Sequence, residues 1–190
     1  MYQVHDTVLY STQGVCEIEE IVKKKVSGKQ MSYYVLKPVY DKKSTVFVPV
    51  DNPALTARMH RPLSAAEVYE LVHAMPQEQC IWVEDEFARR DQYKQILTSG
   101  NREQLVRLIK TLYMHQQVQK SKGRKLHSTD EHFLKEAEKL LYEEFAHVLH
   151  IRCEQVLPFI MQQLGEENPA GTEQEPGSPI MEPDGLCGGT

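Results

Sequence analysis

The chain is 190 residues long, 41% hydrophobic and 26% charged, with 22 Lys and Arg against 27 Asp and Glu and a formal net charge of −5. That length suits one domain or two small ones, and the composition excludes a wholly disordered chain. No apolar run approaches the roughly 18 residues of a membrane span, and Met1–Asp6 lacks the basic-then-apolar pattern of a secretory signal, so a cytoplasmic protein is expected.

Residues 6–50 read as β structure. Val8, Tyr10, Val15, Ile18, Ile21, Val22, Val35, Leu36, Val39, Val46, Phe47 and Val48 form short β-branched or apolar runs. Turn residues separate them at Ser11–Gly14, Ser27–Lys29 and Asp41–Ser44. Ser27-Gly28-Lys29 lies between two such runs and predicts an antiparallel hairpin. Four short strands in so little chain need closure or cover for their edges. A small SH3-like or Tudor-like barrel meets that need, and Pro49 and Pro53 end the region.

From Ser64 the apolar period lengthens to that of a helix. Ser64-x-x-Glu67 reads as a capping box ahead of Val68, Leu71, Val72 and Met75, and Pro76 stops the run. Further helices are predicted from about Val83 to Leu97 and from about Glu103 to Lys120. A second capping box, Ser128-x-x-Glu131, opens another with Phe133, Leu134, Ala137, Leu140 and Leu141 on one face. A last segment covers Val156–Leu164, with Pro158 in its first turn. Residues 166–190 carry six acidic and no basic side chains and are rich in Gly and Pro, so they read as a disordered tail. The expected class is α+β: a barrel at 1–60, a compact helical domain at 61–165, and the tail.

The four cysteines, Cys16, Cys80, Cys153 and Cys187, are scattered, without the close pair a zinc or redox site needs. They read as reduced thiols. No phosphate loop, nucleophile elbow or zinc-protease motif is present. Glu144 and His147 share a helix face, with His150 three residues on. One such pair is half of a di-carboxylate metal site at most, so no metal, no cofactor and no catalysis are expected.

Charge is more informative. Residues 89–125 hold ten basic side chains, among them Arg89, Arg90, Lys94, Arg124 and Lys125, against Asp91 and Glu103 alone. A net +8 over 37 residues suits a phosphate backbone. The single tryptophan, Trp82, stands just before this stretch, where an aromatic can press on a base step. Glu84, Asp85 and Glu86 follow it and would repel phosphate unless the helix start holds them. The competing reading is a protein-only adaptor, in which Trp82 is core between the domains and the basic face is merely solvated.

Asp6-Thr7-Val8-Leu9-Tyr10-x-x-x-Gly14-Val15, Tyr33-Tyr34-Val35-Leu36 and Val46-Phe47-Val48-Pro49-Val50-x-Asn52 together resemble CarD-type (CarD/CdnL) transcription regulators. The Trp, the basic helix and Leu97-Thr98-Ser99-Gly100-Asn101 resemble that family's C-terminal region. The N-terminal part is also similar to the polymerase-interacting module of the transcription-repair coupling factor. The resemblance implies a non-enzymatic, monomeric regulator, nucleoid-associated through RNA polymerase. Its barrel would dock on the polymerase β subunit, and its helices would contact promoter DNA near the minus-ten element with little sequence preference, stabilising the open complex. By position, Trp82 is the wedge at the upstream edge of the bubble, and Arg89 and Arg90 are phosphate contacts. Lys24 faces polymerase. Phe47 stands where other members carry a second basic residue, with Lys42 and Lys43 in the nearby turn.

Overall fold

The structure, a computed structural model, describes residues 1–26, 28–41 and 43–165. Ser27, Lys42, Cys187 and the whole predicted tail lie outside the described residues. Among these residues five strands form one antiparallel sheet: β1 (Thr7–Tyr10), β2 (Val15–Val26), β3 (Lys29–Pro38), β4 (Val46–Pro49) and β5 (Met59–His60), in the order β4-β3-β2-β1-β5. β2 and β3 are longer than the turn spacing suggested. One hairpin pairs Val26 with Lys29, and Gly28 at φ +82° supplies the left-handed backbone such a tight loop requires. The register shifts between Ile18 and Glu20, a bulge that frees Glu19 to bond Lys37. β5, two residues long and unsignalled in the sequence, pairs with β1 and covers its outer edge. A four-residue helix, α1 (Pro53–Thr56), precedes it. Pro53 therefore opens a helix, with Asn52 accepting from the amides of Ala54 and Leu55. The inner face of the sheet closes on Val8, Tyr10, Cys16, Ile18, Tyr34, Leu36, Val48 and Met59.

Among the described residues, five helices follow: α2 (Ala65–Ala74), α3 (Glu86–Ser99), α4 (Arg102–Ser121), α5 (Ser128–Leu149) and α6 (Cys153–Leu164). They enclose a second core that includes Tyr93, Leu108, Leu112, Phe133, Leu141, Phe145 and Val156. The Ser64–Glu67 capping box forms in full. α3 starts three residues later than the apolar pattern implied, because Asp85 is its cap and accepts from the Ala88 amide at 2.7 Å. The second capping box does not form. His127 takes the cap position through its ring, Ser128 is already helical, and Glu131 bonds Lys135. α6 begins at Cys153, which puts Pro158 in the helix interior rather than its first turn. Among the described residues no helix is long and apolar enough to cross a membrane.

Sheet and helices meet at a buried polar junction. Glu144 on α5 is 2% exposed. It accepts the Leu63 amide at 2.9 Å and the Arg102 guanidinium at 3.0 and 3.1 Å. Arg102 also donates to the carbonyls of Gly100 and Arg61. The linker after β5 is thus tied to the start of α4 and the C-terminal part of α5. Two glycines let backbones come close here. A Cβ on Gly100 (φ +70°) would sit 2.3 Å from the His60 ring, and one on Gly14 (φ +71°) 2.5 Å from Glu143 Oε2.

Removing one partner of a buried ion pair leaves the other uncompensated. Arg102→Ala is therefore expected to cost about 3–5 kcal/mol in urea unfolding, and an unchanged midpoint would contradict the junction. Glu143, also buried, has its carboxyl pushed up by burial, opposed by Lys139 and reinforced by Glu136 and Asp41. A raised folded-state value means stability held at acid pH is lost as pH rises through it. Glu143→Gln should therefore melt above the wild type near about pH 8 and lose that advantage near about pH 4. Parallel melting curves across that range would refute it.

Candidate functional site

Trp82 is half-buried and belongs to the helical unit, not to the space between units. Its ring stacks on His115 of α4, with centroids 3.9 Å apart and planes 16° apart. The Arg89 guanidinium lies 4.4 Å from its centroid. Trp82 is therefore packed within the helical unit rather than between the domains, which corrects the interdomain core of the adaptor reading.

Arg89 is corrected as well. It is 8% exposed, donates to the carbonyls of Val83 (2.8 Å) and Glu84 (3.2 Å), and pairs with the buried Asp130 at the start of α5. Its charge is already compensated, so it is not available to a phosphate. The sequence could not show this, since Asp130 lies 41 residues away.

The remaining cations sort by environment. Arg102 serves the junction. Arg107 pairs with Glu78, and Lys110 closes the carbonyls of Met75, Pro76 and Glu78. Arg90 stands 3.9 Å from Glu86 and Lys94 4.0 Å from Asp91, both on the outer side of α3. Lys120, Lys122, Arg124 and Lys125 are exposed and, among the described residues, form no ion pair. They end a stretch, Gln104–Thr129, that contains six basic residues and no acidic one. That uninterrupted run is a sequence signal stronger than the net charge of 89–125. Arg124 and Lys125 fall inside it, while Lys120 and Lys122 are its additional members. Exposed Tyr113, Met114 and Val118 lie along the same helix, and Phe87, at the start of α3, is 77% exposed.

Glu144, which shares a helix face with His147, is occupied by Arg102 and Leu63. Among the described residues no three His, Cys, Asp or Glu are grouped to hold a metal. Cys16, Cys80 and Cys153 are free thiols, and burial pushes the Cys16 thiol up to about 12, with Glu143 adding to it.

On the barrel, Lys24 and Phe47 come from β2 and β4, which flank β3, and meet across its outer face. The Lys24 ammonium is 3.5 Å from the Phe47 ring centroid. Phe47 is 45% exposed, so the pair presents an aromatic and a cation together to solvent. Lys43 is exposed in a turn held by Asp41, which accepts from the Lys43 amide and the Ser44 hydroxyl. Lys42 lies outside the described residues.

Residues 2–61, which span all five strands, match the family described as the CarD-like/TRCF RID domain. The chain carries a CarD-like RID domain. That family is one of RNA polymerase-interacting proteins. No curated protein matches the chain. The Lys24–Phe47 pair lies on the RID domain, whereas the Trp82 knot and the basic helix end lie beyond it, on the helical unit.

Arg89→Ala leaves Asp130 buried without its partner, an expected cost of about 3–5 kcal/mol, and removes the cation over Trp82, shifting its emission to the red. A fully stable variant with unchanged emission would refute the knot.

Proposed function

We propose that the chain is a non-enzymatic, cytoplasmic transcription regulator, acting as a monomer and nucleoid-associated through RNA polymerase. Its RID domain docks on the β subunit, and its helical unit lies on promoter DNA near the minus-ten element and stabilises the open complex. The observation that carries this reading is the tie, through Glu144 and Arg102, between the linker that follows the RID domain and the helical unit that bears an acid-free basic run.

The mechanism is differential binding. A protein that contacts the open complex better than the closed one shifts that equilibrium by the difference in affinity, and by no more. Lys24 and Phe47 supply the docking contact, and Lys43, exposed in the turn before β4, adds a further cation. Lys120, Lys122, Arg124 and Lys125 supply phosphate contacts, with Arg90 and Lys94 further along the same unit. Four such contacts alone give weak, salt-sensitive binding to free duplex. Tethering to polymerase raises the effective concentration of DNA at the basic end. Phosphate contact carries no sequence information, so no strict consensus follows.

Two expectations test this. Lys24→Glu should abolish binding to the β subunit while leaving the fold intact, since its side chain is exposed. Replacing Lys120, Lys122, Arg124 and Lys125 together by Ala should leave polymerase binding unchanged and remove most of the gain in open-complex lifetime. On free duplex, the slope of log affinity against log salt should fall by about 0.9 per lost phosphate contact. Full lifetime gain in the quadruple variant would refute the DNA half of the proposal, and unchanged β-subunit binding by Lys24→Glu would refute the docking half.

A further inference from the structure

We infer that the exposed face at the end of α4, with the turn that follows it, is a docking site for the chain's own acidic segment, residues 166–190. Two kinds of side chain stand bare on this face. Tyr113, Met114 and Val118 are 50%, 51% and 45% exposed. Lys120, Lys122, Arg124 and Lys125 are exposed and, among the described residues, form no ion pair. Helical spacing joins the two kinds. Val118 and then Lys122 follow Met114 in steps of four, and Lys120 lies two turns on from Tyr113. An apolar stripe thus runs into a cationic turn, and residues 104–129 contain no acidic side chain. Phosphate would answer the cations and leave the stripe in water. A peptide that carries both carboxylates and apolar side chains answers the whole face.

Residues 166–190 have that composition. They hold six acidic side chains and no basic one, with Ile180, Met181 and Leu186 set among Glu175, Glu182 and Asp184. The chain before them carries 22 basic and 27 − 6 = 21 acidic side chains, so the two parts attract. Reach is sufficient. α6 packs on α5 and ends at Leu164. α5 is about 33 Å long, and its first residue, Ser128, follows the cationic turn. A chain of 25 residues, the length from 166 to 190, spans up to about 80 Å when extended. The other lysine cluster, Lys23, Lys24 and Lys25, lies on the sheet, and Glu17, Glu19 and Glu20 share its strand. A tethered anion acts at an effective concentration on the order of mM, so it competes with any other anion for the same cations. On free duplex the segment keeps the cations. On a promoter held by polymerase, DNA is tethered as well and displaces it. That competition rests on the reading of this end as a phosphate-binding surface; the docking does not.

The test uses the full chain. A carbodiimide, which joins a lysine to a carboxylate only where the two touch, is applied to dilute protein, and the monomer is digested and read by mass spectrometry. Wild type is expected to join Lys120, Lys122 or Lys125 to a carboxylate of 166–190 within one chain. Met114→Gln with Val118→Gln, which changes no charge, should lower the yield of that product. A neutralised variant carries Glu166→Gln, Glu167→Gln, Glu173→Gln, Glu175→Gln, Glu182→Gln and Asp184→Asn. It should bind free duplex roughly tenfold more tightly than wild type at low salt, and the gain should vanish at high salt, where charge is screened. No such crosslink, crosslinks confined to other lysines, or crosslinks formed only between two chains would overturn the inference. So would an unchanged duplex affinity on neutralisation, where replacing the four cations by Ala does weaken duplex binding. If the Ala variant binds duplex and stabilises the open complex as wild type does, the DNA half of the proposed function falls, and the crosslinks alone decide the docking.

Discussion

The buried carboxylate of Glu144 organises this molecule. A charge that is 2% exposed persists in a fold only when donors surround it. Here the donors are the Leu63 amide of the linker and the guanidinium of Arg102 at the start of α4. Arg102 in turn satisfies the carbonyls of Gly100 and Arg61. A single carboxylate thereby ties the chain just after the sheet to two helices, α4 and α5. The two hydrophobic cores stay separate, yet the units that own them meet at this buried polar junction. Gly14 and Gly100 allow the close approach on either side of it.

That junction bears on function. A flexible joint would let a tethered DNA-binding unit sample many orientations and lose affinity to ordering entropy. A fixed joint presents the basic end of the helical unit in one direction relative to the Lys24–Phe47 face. The same logic applies within the helical unit. Arg89 gives up its charge to Asp130 and its plane to Trp82, and so pins the segment before α3. The residues left for a partner are those the fold does not use: the cations of the turn before α5 and the exposed apolar face of α4.

Much of the fold was legible in the sequence. Alternating β-branched residues with Gly28 at the turn predicted the hairpin, and Ser64 with Glu67 predicted the start of α2, because both signals are local. The sheet unit was legible through its motifs at 6–15, 33–36 and 46–52, which lie within the matched residues 2–61. What stayed hidden was carried by pairs distant in sequence. Leu63 and Glu144 are 81 residues apart, Arg102 and Glu144 are 42, and Arg89 and Asp130 are 41. Charge counting treated Arg89, Arg102 and Arg107 as equal to Lys122 and Arg124, since a count cannot see which cations a fold has already neutralised. Trp82 drew attention as the lone tryptophan, while Phe87 carried no periodic signal to mark it as exposed. His127 was missed as a cap because an imidazole is an uncommon one.

The central claim is that one rigid molecule bridges polymerase and promoter DNA. The most direct measurement places a photocrosslinking amino acid at Lys122 and irradiates the full chain with polymerase on an open promoter. The bridge predicts a crosslink to DNA just upstream of the minus-ten element, which disappears when Lys24→Glu is introduced in the same chain. Crosslinks confined to polymerase subunits, with the DNA untouched, would contradict it.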